Sequence, residues 1–190
     1  MTKNNPFTLE NQFLVSTPSL NDPNFKKSVV LICKHNKEGA MGVVINRHTA
    51  QNTADIFDQL NIEISDNKNA ANPVFEGGPV QPELGLIIHN CNSKSWESTM
   101  EIGEDIKLTS SIDILKDLAV GEGPDSFLMI LGYSGWGPGQ LENEIKENAW
   151  FTVPVDKRIL FDSRIDRKWQ RSAQILGIDA NQFSSQVGHA

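Results

Sequence analysis

The run Ser28–His35, SVVLICKH, leaves this chain little freedom in how it folds. It is apolar at consecutive rather than alternating positions and rich in β-branched side chains. A strand of that kind has to be covered on both faces. The loop NKEGA follows, and then MGVVINR, Met41–Arg47, which reads as a second strand and hairpin partner. Further short apolar runs predict strands at Leu84–His89, Asp105–Leu108, Ser126–Leu131, Trp150–Val155 and Arg158–Phe161. Pro154 lacks a backbone donor, so the Trp150–Val155 strand lies at an edge or ends there.

Helical patterns are interspersed among these runs. Ile56, Phe57 and Leu60 form a short apolar stripe. In TSSIDILKDLAVG, Ser110 and Asp113 stand at capping-box-like spacing. Ile114, Leu115 and Leu118 then face the core, and Gly121 supplies a stop. A third helix begins after Gly139. A fourth runs from about Ser163 to Leu176, with Trp169, Ala173 and Leu176 inward and Gly177 as its stop. Ser65–Pro73, SDNKNAANP, is too short for an interdomain linker and reads as an exposed loop. Strands and helices mixed without strict βαβ alternation predict an α+β fold. We expect a single compact domain over residues 1–190, with a mixed or mainly antiparallel sheet and about four flanking helices.

The formal net charge of −7 and pI near 5.1 repel phosphate on average, which argues against sequence-independent nucleic-acid binding. Only Asp156–Arg171 opposes the overall sign, through Lys157, Arg158, Arg164, Arg167, Lys168 and Arg171. It reads as a solvated helix face, with a docking patch for an acidic partner or nucleic acid as the alternative. The start, MTKNNPFTLENQF, lacks the apolar stretch of a signal peptide. The longest apolar runs, Val29–Cys33 and Phe127–Leu131, fall far short of the ~20 residues that span a bilayer. Cys33 and Cys91 then read as free thiols in a reducing compartment, and the expected location is the cytoplasm.

The segment Gly132–Ile145, GYSGWGPGQLENEI, is the first candidate for function. Gly132, Gly135, Gly137, Pro138 and Gly139 place a glycine-dense turn between a strand and a helix, as ligand-cradling turns require. Phosphate is disfavoured, because Glu142 and Glu144 already occupy the positive end of the helix. A hydrolase elbow at Ser134 is disfavoured too. The place two residues on, which must be small, holds Trp136, and no spacing selects a base from His35, His48, His89 or His189. Cys33 with His35, and His89 with Cys91, could each offer two ligands on one strand face. Their spacing is unlike the usual zinc clips, so they read as buried thiols beside strand-end histidines. EGGPV, Glu76–Val80, reads as a sharp chain reversal.

These segments together resemble the YqgE/AlgH family, a bacterial group to which no molecular activity has been assigned. The likeness runs from FLVSTPSLNDPNFKKSVVLICKHN through EGAMGVVINR, EGGPV, LGLIIH, LTSSIDIL, GYSGWGPGQLENEI and NAWFTVP to the terminal GHA. It implies a compact α+β fold of mixed sheet and flanking helices. It also marks Asn36, Gly42, Asn46, Gly77, Gly78, Pro79, His89, Gly132, Gly135, Trp136, Gln140, Leu141 and Glu144. Some members are named as transcriptional regulators, although no helix-turn-helix signature is present here. This chain departs from the family pattern at Ser134 (usually Ala), His48 (usually Pro) and Leu84 (usually Arg), and neither cysteine belongs to it.

The resulting expectation is a non-catalytic binding or regulatory protein. Its surface would comprise Asn46, Gly77, Gly78, Pro79, His89, Gly132, Gly135, Trp136, Gln140 and Glu144. Gln140 and Glu144 lie four apart, on one helix face beside Trp136, which suits a protein segment or a small polar ligand. No catalytic residue, metal ligand or cofactor is assigned. The alternatives are an acid/base site on His89, Glu144 and Asn46, and a transcription-associated regulator.

Overall fold

The computed structural model describes residues 8–91 and 94–178. His189 and the terminal GHA lie outside them. The chain is α+β and divides into two compact units, one of residues up to Gly42 together with those from Gly135 on, the other Val43–Ser134.

In the first unit, β1 (Gln12–Ser16) lies antiparallel between β2 (Val29–Asn36) and β10 (Trp150–Pro154), with Phe13 opposite both Leu31 and Val153. β2 is buried at its first five positions, as its apolar run demands. It turns through Lys37–Glu38 into β3 (Gly39–Val44), and the Asn36 side chain accepts a bond from the Glu38 N–H at 2.8 Å. The expected strand Met41–Arg47 is therefore shorter, because the chain bends at Ile45–Asn46.

Arg158–Phe161, expected as a strand, is helical: α4 spans Lys157–Leu160. Asp156 caps it by accepting from the Arg158 N–H at 2.8 Å, and this local cap outweighs the β-propensity of the sequence. The last helix, α5 (Lys168–Ile175), follows a 3-10 turn at Ile165–Arg167. Ala173 is inward, but Leu176 is 40 % exposed, and Lys168 of the supposed solvated face is wholly buried. Arg164 and Arg171 both pair with Asp162, and Arg158 pairs with Asp156. Much of the local positive charge is thereby offset.

In the second unit, β6 (Val80–Asn90) is antiparallel to β9 (Phe127–Trp136) and to β8 (Ile106–Thr109), and β7 (Thr99–Ile102) pairs with β8. On β9 also lies β5 (Pro73–Glu76), parallel, with β4 (His48–Asn52) antiparallel to it. This makes the sheet mixed. The sequence does not reveal strands β1, β4, β5 and β7, which are only four or five residues long and hold apolar runs of at most three.

α1 (Thr53–Gln59) starts from a capping box in which Asn52 and Asp55 each accept the other's backbone N–H. α2 (Ile112–Ala119) starts one residue later than its spacing suggests, with Ser111 rather than Ser110 at the cap. The Ser111 hydroxyl donates to Asp113 instead of accepting from the helix. Ile56, Phe57, Ile87, Ile114, Leu118 and Met129 join in one buried cluster between these helices and the sheet.

Candidate functional site

Gly132, Ser134, Trp136 and Leu141 of the Gly132–Ile145 segment are buried, whereas Gly135, residues 137–140 and Asn143 are exposed. β9 does not end at Leu131 but continues to Trp136, held by the pairing of Tyr133 with Val80. The turn is thus confined to Gly137–Gly139, and α3 (Gln140–Lys146) follows. Trp136 is not a surface plate. It is 5 % exposed, stacks on Phe25 with centroids 5.9 Å apart, and meets Trp150 edge-on at 6.2 Å. Glu144 accepts from the Trp136 indole at 2.9 Å, the Trp150 indole at 2.8 Å and the Gln140 amide at 2.9 Å. Gln140, exposed, also accepts from the Gly137 N–H. Gln140 and Glu144 share a helix face as the spacing requires, but that face ties α3 to an aromatic cluster. Gly135 is exposed at the end of β9.

His35, one of the possible bases, is likewise committed. Its Nδ1 accepts from the Leu9 N–H at 3.0 Å, so Nε2 carries the proton it donates to Glu142 at 2.9 Å. Glu142 is held below the usual carboxylate range, first by its own backbone N–H and then by His35. Burial, with Glu10 nearby, pushes the Cys33 thiol well up, the opposite of what a nucleophile or metal ligand needs. Among the described residues, no three His, Cys, Asp or Glu side chains gather as a metal would require.

In the second unit, Gly77 and Gly78 are buried against residues 132–134. A Cβ on Gly77 would fall 2.3 Å from the Gly132 carbonyl oxygen, and one on Gly78, where φ is +149°, 2.4 Å from that of Tyr133. Both positions therefore need glycine. Pro79 is exposed and Asn46 half-buried. Ser134 is buried and donates to the Gly77 carbonyl at 3.0 Å, an anchoring role that leaves no free nucleophile.

His89 stands apart from this glycine contact. It pairs with Phe127, five residues before Gly132, or roughly 17 Å along the strand at ~3.3 Å per residue. It is fully buried against Trp96, with Nδ1 on the Asn90 carbonyl and Nε2 on the Thr109 hydroxyl, both at 2.9 Å. Burial lowers its pKa, which favours the neutral ring.

The second unit also holds an open apolar groove of about 350 Å³, which the sequence reading missed. Its floor is formed by Ile87 of β6 and by Met129 and Leu131 of β9. Gly85, paired with Leu131 on the same face, leaves a gap in that floor, and a Cβ there would meet no atom within 4 Å. One wall is Ile56, Gln59 and Leu60 at the end of α1, and the other runs from Thr109 to Leu115 into α2. Leu60 and Ile112, which both line the groove, are 43 % and 47 % exposed.

The lip is made by Glu83 and Leu84, where the ladder shifts register between Val80 and Gly85 and Gln81 adopts φ +46°. Bulges and strained residues concentrate beside functional sites because they re-aim side chains. The EGGPV turn leads directly into this bulge. A glycine inside an apolar strand, Gly85 in LGLIIH, was the available sequence signal.

Comparison with known proteins agrees with this architecture. A family model described as AlgH-like matches residues 13–181. The chain belongs to the AlgH-like family. A UPF0301 protein of Thioalkalivibrio sulfidiphilus is 47 % identical over the full length of both chains. One from Xanthomonas campestris is 43 % identical over 97 % of this chain and 98 % of its own. The solution structure of the AlgH protein from Pseudomonas aeruginosa is 38 % identical, covers all of both chains and superposes with a TM-score of 0.79. A crystal structure of a Corynebacterium diphtheriae protein, 18 % identical with a TM-score of 0.69 over 90 % of this chain, shares the fold alone. No helix among the described residues of this AlgH-like chain is long and apolar enough to cross a membrane.

Proposed function

We propose that this AlgH-like protein is a non-catalytic binding protein, and that the groove between α1 and α2 in the Val43–Ser134 unit is where it binds. One observation carries the reading: an apolar hollow of about 350 Å³ left open at a glycine in the strand floor, with two aliphatic side chains exposed at its rim. Ligand sites are typically concave, mostly apolar and about 300–1,000 Å³ in volume, with a few polar groups for orientation. Here the polar groups are Gln59, Glu83 and the hydroxyls of Ser110 and Ser111. The Trp136–Glu144 segment then serves as scaffold rather than as the recognition surface.

The acid/base reading gains no support from side-chain chemistry. Both nitrogens of His89 and the carboxylate of Glu144 are consumed by hydrogen bonds inside their own units. A general acid or base has to offer a free position to its substrate.

The test uses Nile red, a neutral apolar dye, with the unaltered protein and with Gly85→Leu. A Cβ at position 85 enters open space, and an unchanged circular dichroism spectrum and melting temperature check that the variant keeps the fold. Emission should rise and shift to the blue with the unaltered protein and not with the variant. Equal emission from both would refute the groove as the binding site.

A further inference from the structure

The charge of the unit that holds the groove, with Glu83 on its lip, bears on what the groove takes. The Val43–Ser134 unit carries 14 acidic side chains against five basic ones, a net −9, whereas the rest of the chain carries 10 acidic and 12 basic. The net negative charge of the protein thus lies wholly in the unit that holds the groove, the rest of the chain being +2. Within the lining, Glu83 is the ionisable side chain, exposed on the lip beside the aliphatic floor. The N-terminus of α2, which could have drawn an anion, is already occupied. Asp113 accepts from the Ile114 and Glu97 N–H groups and from the Ser111 hydroxyl.

Resting on the reading of the groove as the binding site, we propose that its occupant is a basic amphipathic segment of a partner protein. Such a segment would seat two or three aliphatic side chains over Gly85, Ile87 and Met129 and direct a lysine or arginine to Glu83. A free acidic or neutral metabolite fits less well, because the unit's field repels the first and nothing uses the charge on Glu83 for the second. A segment long enough to cover the floor also buries the exposed parts of Leu60 and Ile112, which a ligand confined to the hollow would leave wet. The negative field of the unit speeds encounter with a basic partner, and Glu83 sets its register on the rim.

A fluorescently labelled helical peptide of leucine and lysine is titrated by polarisation, beside its counterpart with glutamate in place of lysine. The lysine peptide should bind in about the micromolar range at low salt and weaken as salt rises, and the glutamate peptide should bind at least about tenfold more weakly. Gly85→Leu should weaken the lysine peptide about tenfold or more by filling the floor. Glu83→Lys should weaken the lysine peptide several-fold and strengthen the glutamate peptide, a reversal of preference that mere loss of the groove would not give.

Equal binding of the two peptides overturns the proposal, and so does a lysine peptide that ignores Gly85→Leu, since its contact then lies elsewhere. A dimer seen by sedimentation that Gly85→Leu dissolves would make the occupant a second copy of this chain and overturn it as well. In each of these cases, dye capture that still depends on Gly85 leaves the groove standing as a binding site. Loss of that dependence removes both readings.

Discussion

Replacing Glu144 with alanine removes the acceptor shared by two buried indoles. Trp136 and Trp150 are 5 % and 3 % exposed, and their N–H groups lie 2.9 and 2.8 Å from the same carboxylate oxygen. Each N–H then loses a charge-assisted bond and has no other acceptor in the protein. At about 1–3 kcal/mol for each orphaned buried donor, Glu144→Ala should cost about 3–5 kcal/mol. Glu144→Gln keeps an oxygen for both indoles, with the two bonds now neutral, and sets its amide nitrogen against the Gln140 Nε2 donor, so it should cost about 1–2 kcal/mol. Urea unfolding followed by far-ultraviolet circular dichroism measures the two costs. The indole N–H resonances add a check specific to the site. Those of Trp136 and Trp150 should move in Glu144→Ala, while Trp96 and Trp169, bonded to Asp117 and Ser16, should not. An alanine variant that loses less than about 1 kcal/mol, or a glutamine variant as unstable as alanine, would refute the lock.

Lys168 gives a pH prediction. Burial pushes its pKa down from 10.5 to about 7, while its ammonium donates to the Leu160 carbonyl at 2.7 Å. The unfolded chain therefore binds more protons between pH 7 and 10.5. The burial penalty, about 5 kcal/mol in full, is present below pH 7 and is relieved as pH rises. The unaltered protein should gain about 2–3 kcal/mol relative to Lys168→Met between pH 7 and 9 in urea titrations, and parallel pH profiles would contradict this. Gly78→Ala puts a Cβ against the Tyr133 oxygen at a φ that L residues avoid, and should cost about 3 kcal/mol or more by thermal melting. Asn52→Ala breaks the capping box of α1 and should cost about 1 kcal/mol. Because α1 forms a wall of the groove, Nile red capture should weaken in that variant as well.

Long apolar or strongly periodic segments were legible in the sequence. SVVLICKH could only be a covered strand, and Ile114, Leu115 and Leu118 could only be one helix face. The short strands β1, β4, β5 and β7 were not, since four or five residues of mixed polarity carry no period of their own and acquire structure from a neighbour's open edge. Of the site, the sequence located segments better than roles. It picked out Trp136, Gln140 and Glu144 as a set at a glycine-rich turn, and they do act together, Trp136 through a half-buried hydrogen bond to Glu144 and Gln140 through an exposed one. It read EGGPV as a turn without the bulge that follows it.

The sequence by itself determined the α+β class and the family, because period, turn residues and long motifs are written along the chain, whereas the parallel pairing of β5 with β9 that makes the sheet mixed came from the structure. Burial direction is not written there. Whether an indole faces solvent or Phe25, or whether a lysine sits in water or under Leu160, depends on which surfaces meet, and residues far apart in the chain decide that. The groove is the extreme case, for it exists only where a missing side chain at Gly85 lies beside Leu131 and beneath α1 and α2. A cavity is a property of what surrounds it, so only the tertiary structure could reveal it.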